Sequence, residues 1–293
     1  MTLAQLVPIA LQVSVALVVF AVGLRTRHGD LSYLLHNPSM LLRSLLAMNV
    51  VMPVLAVATA LLFHLRPEVE VALILLAVAP VPPILPGKQQ KAGGNVSYAI
   101  GLLTLAAVVA ILTVPASIAI IGRFFEREIH VPVAVVAKIM LITVLGPMIL
   151  GALLQRVAPT LAERLAKPLS IIGTVLLVLG IVPMFAAAWP AITRQVGEFT
   201  LIAIALFALA GLVVGHLLGG PAPEDRTVLA LSTATRHPGI ALALSGIVAP
   251  GNAGLAASVL LATLVVAVIT VPYVKWRKRG QAALAATAVP DRA

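Results

Sequence analysis

The side chains with the most chemistry to offer stand in LSTATRHPGIAL, residues 231–242. Arg236 carries a planar fork of donors that matches a carboxylate. His237 carries an imidazole able to move a proton near neutral pH. Ser232, Thr233 and Thr235 add hydroxyls that both donate and accept, and Pro238 and Gly239 follow at once. A second set occupies PVPPILPGKQQK, residues 80–91, where Pro80, Pro82, Pro83 and Pro86 precede Lys88, Gln89, Gln90 and Lys91. What is missing matters as much. The 10 carboxylates (Asp30, Glu68, Glu70, Glu126, Glu128, Glu163, Glu198, Glu224, Asp225 and Asp291) fall in loops or at the ends of apolar runs. A cation at Arg236 must therefore rely on backbone carbonyls, on water, or on an anion that arrives, because an unpaired charge in an apolar interior is costly. With no cysteine, disulfides, thiol catalysis and thiolate metal sites are excluded. Hydrolysis would need a Ser–His pair, paired aspartates or a metal cluster within the apolar runs, and no interior acid supplies one.

The elements that must position these groups follow from composition. The chain has 293 residues, 61% hydrophobic and only 10% charged, against about a quarter charged in ordinary soluble domains. Its apolar residues come in runs long enough to cross ~30 Å of hydrocarbon. The reading is an all-α polytopic membrane protein with about nine crossings, at residues 2–24, 39–65, 68–92, 95–125, 131–157, 166–192, 198–218, 223–249 and 252–276. The first run lacks a basic leader and a small-residue cleavage site and is read as a mature helix. A single transmembrane domain is expected over residues 1–276, with halves 1–125 and 131–276, and an alanine-rich disordered tail over 277–293.

The net charge of +10 does not indicate a nucleic-acid partner, because the cations sit at the ends of apolar runs. Arg25 and Arg27 in the first loop, Arg156, Arg164 and Lys167 in the loop between the runs at 131–157 and 166–192, and the group Lys275–Arg279 fall on one side. The opposite loops set Arg66 against Glu68 and Glu70, and Arg127 against Glu126 and Glu128. The positive-inside rule then places the N-terminus outside and the C-terminus in the cytoplasm of a multi-pass inner-membrane protein.

Two of the runs resemble each other. PEVEVALILLAVAPVPP starts at Pro67 and PEDRTVLALSTATRHPG at Pro223, which sets Pro82 opposite Pro238; AGGN at 92–95 then answers APGN at 249–252. Proline removes an amide donor and disfavours helix at the residue before it, so Pro80, Pro82, Pro83 and Pro86 are expected to break the first segment, and Pro238 with Gly239 the second. Matching breaks in inverted halves point to a transporter's binding site at the membrane midplane, although prolines are also common in membrane helices generally. Freed amides and carbonyls at such breaks are tolerated where they are buried in protein or line a wet cavity.

The candidate binding residues are Arg236, His237, Lys88, Thr235, Ser232 and Asn49, with no metal site. Each has a structural alternative. Arg236 receives an anion or clamps carbonyls of the first broken segment. His237 moves a proton or, more simply, donates a hydrogen bond that caps freed carbonyls. Lys88 lines the site or anchors the chain at the cytoplasmic surface, and Lys91 is read as such an anchor. Lys138 and His216 snorkel from helix ends. Asn49 faces the crossing or holds neighbouring helices together.

At LLHNPSMLL, the Ala79–Pro80 ending, AGGNVSYA, Lys138 and TRHPGIALAL, the sequence resembles the bile acid:sodium symporters and their bacterial relatives, over nearly the whole chain. The resemblance implies inverted five-helix repeats, two discontinuous helices crossing near the membrane centre, and a core that moves against a panel. The panel would comprise the runs at 2–24, 131–157 and 166–192, and the counterpart of the first helix of ten-helix members would be missing. It also implies departures. Leu85 and Pro86 stand where sodium-coupled members have a Ser–Asn pair, and Ala99 and Leu103 where they have hydroxyls. Ser232 stands for an ion-binding Glu, and Arg236 and His237 for a Gln–Asn pair.

The expectation is a secondary transporter of a small organic anion, with Arg236 as a tethered cation in place of sodium. Coupling to sodium, to protons through His237, or to neither stays open, as does the oligomeric state. A passive anion channel and a non-transporting sensor with the same fold are the alternatives. Arg236→Gln should weaken binding of small carboxylates severely in a titration of the purified protein; an unaltered affinity would contradict the assignment.

Overall fold

Proline costs nothing at a first helical position, where the amide has no partner to lose, and it opens one helix after another here. The computed structural model describes residues 3–125, 129–197 and 199–287. Glu126, Arg127, Glu128, Glu198 and Asp291 lie outside them. The helices are α1 (Leu3–Gly23), α2 (Pro38–Leu46), α3 (Met52–Phe63), α4 (Pro67–Val78), α5 (Leu85–Lys91), α6 (Val96–Phe124), α7 (Val133–Met140), α8 (Gly146–Val157), α9 (Pro159–Gln195), α10 (Thr200–Leu218), α11 (Pro223–Ala234), α12 (Pro238–Val248) and α13 (Ala253–Thr287). A π turn at Ala47–Val51 joins α2 to α3, and another at Leu141–Leu145 joins α7 to α8.

Among the described residues, 6 helical stretches are long and apolar enough to cross a membrane: Pro38–Phe63, Val96–Phe124, Val133–Val157, Pro159–Gln195, Thr200–Leu218 and Ala253–Gln281. Their outward faces keep large apolar side chains exposed, as with Val175 at 50% and Leu179 at 63% on α9, which suits hydrocarbon and not water. This is an all-α, multi-pass membrane protein. The two discontinuous segments fall where the prolines set them: α4 and α5 are separated by residues 79–84, and α11 and α12 by residues 235–237. The first halves, α4 and α11, both begin at the paired prolines and both run for 12 residues.

AGGN and APGN do the same local work. Asn95 caps α6, its side chain accepting from the Tyr98 amide at 3.1 Å, and Asn252 caps α13, accepting from Leu255 at 3.0 Å. The chain reaches each cap through a glycine in the left-handed region, Gly93 at φ 84° and Gly251 at φ 76°.

Packing sets α11 against α10 along Gly211, Gly215 and Gly219, spaced by four so that they share one face. The approach is close: a methyl at Gly215 would lie 2.3 Å from Thr233 Oγ1 and 2.4 Å from Ala230 Cα. Thr233 uses that proximity, donating to Gly211 O at 2.6 Å. Elsewhere α4 packs on α3, α6 and α13, while α1 packs on α8 and α9. The halves cross over in their partners, α12 against α4 and α11 against α5.

Three expectations need correction. The tail is not disordered from residue 277, since α13 runs unbroken to Thr287; its alanines favour helix. Residues 288–293 lie outside the described part. Arg164 and Lys167 belong to α9, which starts at Pro159, and Arg156 to the last turn of α8, so these cations stand on helix ends and not in a loop. Pro86 breaks nothing: it sits in the first turn of α5, where a proline is accommodated.

Gly215→Ala should lower thermal stability in detergent by about 1–3 kcal/mol through overpacking. Gly246→Ala on α12, where an added methyl meets nothing within 4 Å, should leave it unchanged or slightly raised.

Candidate functional site

In an uninterrupted helix the carbonyl of Leu76 would accept from the amide four residues on, but that residue is Pro80, which has none. The helix ends instead. The Ala79 amide turns back to Leu75 O and Leu76 O at 3.1 Å each, and Ala79 itself is extended, as the residue before a proline must be. The end of α4 thus presents carbonyls carrying the negative end of its dipole. Arg236 fills that place. Its Nε donates to Leu76 O at 3.4 Å, and its Nη2 donates to Ala77 O and, at 2.9 Å, to Met48 O. Met48 lies in the π turn of the α2–α3 rod, where the regular ladder is interrupted. Arg236 as a whole is 5% exposed, and its Nη1 is buried without a hydrogen-bond partner.

The two breaks touch directly. The His237 amide donates to Pro80 O at 2.9 Å, so the backbone of one interruption satisfies the other. The His237 side chain is an acceptor, contrary to the donor role expected for it: Nδ1 accepts from the Ile240 amide at 3.4 Å and caps α12, and Nε2 is buried and unpartnered. Pro238 holds the first position of α12 and Gly239 the second.

Beside the crossing lies a cavity of about 190 Å³ whose lining includes Leu76, Pro82, Lys88, Phe207, Thr235 and Arg236. Lys88 reaches it from α5 and donates from Nζ to Thr270 Oγ1 on α13 at 2.8 Å. Thr235 ends α11 in extended backbone, its Oγ1 buried without a partner. Among the described residues, no carboxylate lines the cavity, and neither do residues of α1, α8 or α9. Three candidates thus meet at one place: Arg236, Lys88 and Thr235.

The others are placed elsewhere. Ser232 is buried and accepts from Gln89 Nε2 at 2.8 Å, which takes it away from the cavity. Asn49 accepts from Thr113 Oγ1 at 3.4 Å, holding the α2–α3 rod to α6 as interhelical glue. His237 is not among the cavity's lining residues. Lys138 is exposed, whereas His216 pairs through Nδ1 with Tyr273 OH at 2.9 Å. Gln89 is a residue that charge-based reasoning passed over. Fully buried, it bonds both Ser232 Oγ and Val228 O, at 2.8 and 2.9 Å, and ties α5 to α11. Its one signal in the sequence was its position, an uncharged amide beside Lys88 within a membrane-depth segment.

With this geometry in place, comparison with known proteins adds one match. The family described as Sodium Bile acid symporter family matches residues 12–195 of the 293. No curated protein matches the chain.

Arg236→Lys keeps the charge but loses the fork that spans separate carbonyls. It should lower thermal stability in detergent by about 2–4 kcal/mol, with carbonyls left unsatisfied; an unchanged melting temperature would show that charge alone suffices.

Proposed function

This chain belongs to the Sodium Bile acid symporter family, and from that premise we propose that it is a secondary transporter which moves a small organic anion by alternating access without help from sodium. The observation that carries the reading is the sign of the cavity: Lys88 and Arg236 on its wall and, among the described residues, no carboxylate. Membership places the chain in a class of transporters and not of enzymes.

The two cations divide the work. Arg236 spends its donors on the carbonyls of Met48, Leu76 and Ala77, oxygens of the kind that would otherwise attract a metal cation. A permanently charged guanidinium bound there is a cation that never leaves. Ser232, where sodium-coupled relatives are expected to keep an acid, is engaged by a neutral amide. Lys88 has one bond, to Thr270, and keeps ammonium hydrogens for an arriving anion.

The contacts also support a division into two moving groups. The broken pairs are flanked by α3, α6, α10 and α13, which would form the core, and α1, α8 and α9 pack on one another as a panel. On this reading the halves are inverted repeats with nine crossings, N-terminus outside and C-terminus in the cytoplasm. The positive cluster at Lys275–Arg279 supports that orientation.

Counterflow of radiolabelled acetate, hexanoate or dodecanoate into preloaded proteoliposomes tests the transport reading. Saturable counterflow of at least one is expected, reduced at least tenfold in Lys88→Gln. Flux that rises linearly with concentration and shows no counterflow would indicate a passive channel, and no flux of any of the three a non-transporting protein.

A further inference from the structure

We propose that the cavity beside Lys88 and Arg236 takes a short aliphatic monocarboxylate of roughly six to nine non-hydrogen atoms and rejects both amines and sterol-sized anions. This rests on the transport reading and names the class of anion it concerns.

Size comes first. The cavity opens where Ile84 and Ala267 are exposed, and its enclosed part measures about 190 Å³; since a hollow of about 150 Å³ accommodates benzene, that part suits a body slightly larger. A sterol skeleton is several times too big. The chemistry of the walls narrows the class further. Leu73, Leu76, Phe207, Ala262, Val266 and Ala267 offer no hydrogen bonds. A hydroxylated ligand such as a sugar would bury polar groups there without partners, whereas an aliphatic tail loses nothing.

Charge sets the head group. Thr263 also lines the cavity, but its hydroxyl is spent on Val259 O at 2.8 Å. Arg236 is committed to carbonyls through Nε and Nη2. That leaves the Lys88 ammonium, held by Thr270, as the cation with hydrogens to spare, and Arg236 Nη1 and Thr235 Oγ1, both buried without a partner, as donors that can complete the same head-group site. These donors converge on one carboxylate, and the second head of a dianion would fall among apolar side chains, a low-dielectric setting that penalises an unpaired charge. An amine would meet two cations and no acid. The enclosing elements are α4, α5, α10, the α11–α12 break and α13, so the tail meets the buried Phe207 on α10 and Ala262 on α13, while Ala267 stands exposed at the opening.

The test is thermal stabilisation of the purified full chain in detergent. The ligands are straight-chain carboxylates from acetate to dodecanoate, the matching amines and alcohols, and cholate. The largest shift is expected between butyrate and heptanoate, with the shift from dodecanoate or cholate less than a quarter of it and none from amines; the alcohols report how far the tails act through the detergent alone. Ala267→Phe should move the optimum to shorter carboxylates and Phe207→Ala to longer ones, a reordering that a general loss of folding cannot produce. Stabilisation that grows steadily to dodecanoate or cholate would overturn the class while leaving an anion transporter standing. Stabilisation by amines, or by no carboxylate at all, would overturn both.

Discussion

A guanidinium within a membrane protein, with no carboxylate to meet it, has to be held by something, and the rest of this structure follows from how that is done. Pro80 removes the amide that Leu76 O would have used, so α4 stops at Val78 and its last carbonyls turn to Arg236. Nothing in that arrangement works unless α11 delivers Arg236 to the end of α4. The glycines of α10 let α11 approach closely, Gln89 ties α11 to α5, and the His237 amide bonds Pro80 O. Each interruption is costly alone, since freed backbone groups have no water to turn to at that depth. Together they satisfy one another.

The same crossing explains why the cavity beside it is positive and otherwise apolar. Three carbonyls hold Arg236 through Nε and Nη2 and make its charge a fixed part of the scaffold, while Lys88, on the short α5, retains donors. A scaffold that supplies its own permanent cation has less need of a mobile one. On the proposed reading, this is what the departures at Ser232, Arg236 and His237 from the pattern expected of sodium-coupled relatives amount to.

Much of this was legible in the residues, and the exceptions have physical causes. The paired Pro-Glu starts and the AGGN and APGN turns mark helix starts and caps by local rules, and they fell where expected because local backbone chemistry decides them. The distribution of acids foretold the sign of the cavity. Side-chain partners were harder. The alternative of a carbonyl clamp at Arg236 describes its bonds well, but which carbonyls were involved depended on a π turn that no periodicity announces. His237 was expected to donate, yet it caps α12 as an acceptor, a choice set by its place one residue before Pro238. Ser232 and Asn49 looked available because each is polar in an apolar run; Gln89 and Thr113 had already claimed them. Pro86 was read as a breaker because prolines were counted without regard to which of them could stand in a first turn. The alanines after Arg279 signalled helix, and a composition-based view of tails overlooked it.

The central claim is that Arg236 does the work of a coupling cation. The most direct measurement is the affinity of the purified protein for hexanoate by titration calorimetry, with sodium replaced by choline at constant ionic strength. The account predicts the same dissociation constant, within about twofold, in both buffers. An affinity that falls tenfold or more when sodium is withdrawn would mean that a mobile ion completes the site, and that the guanidinium only holds the helices together.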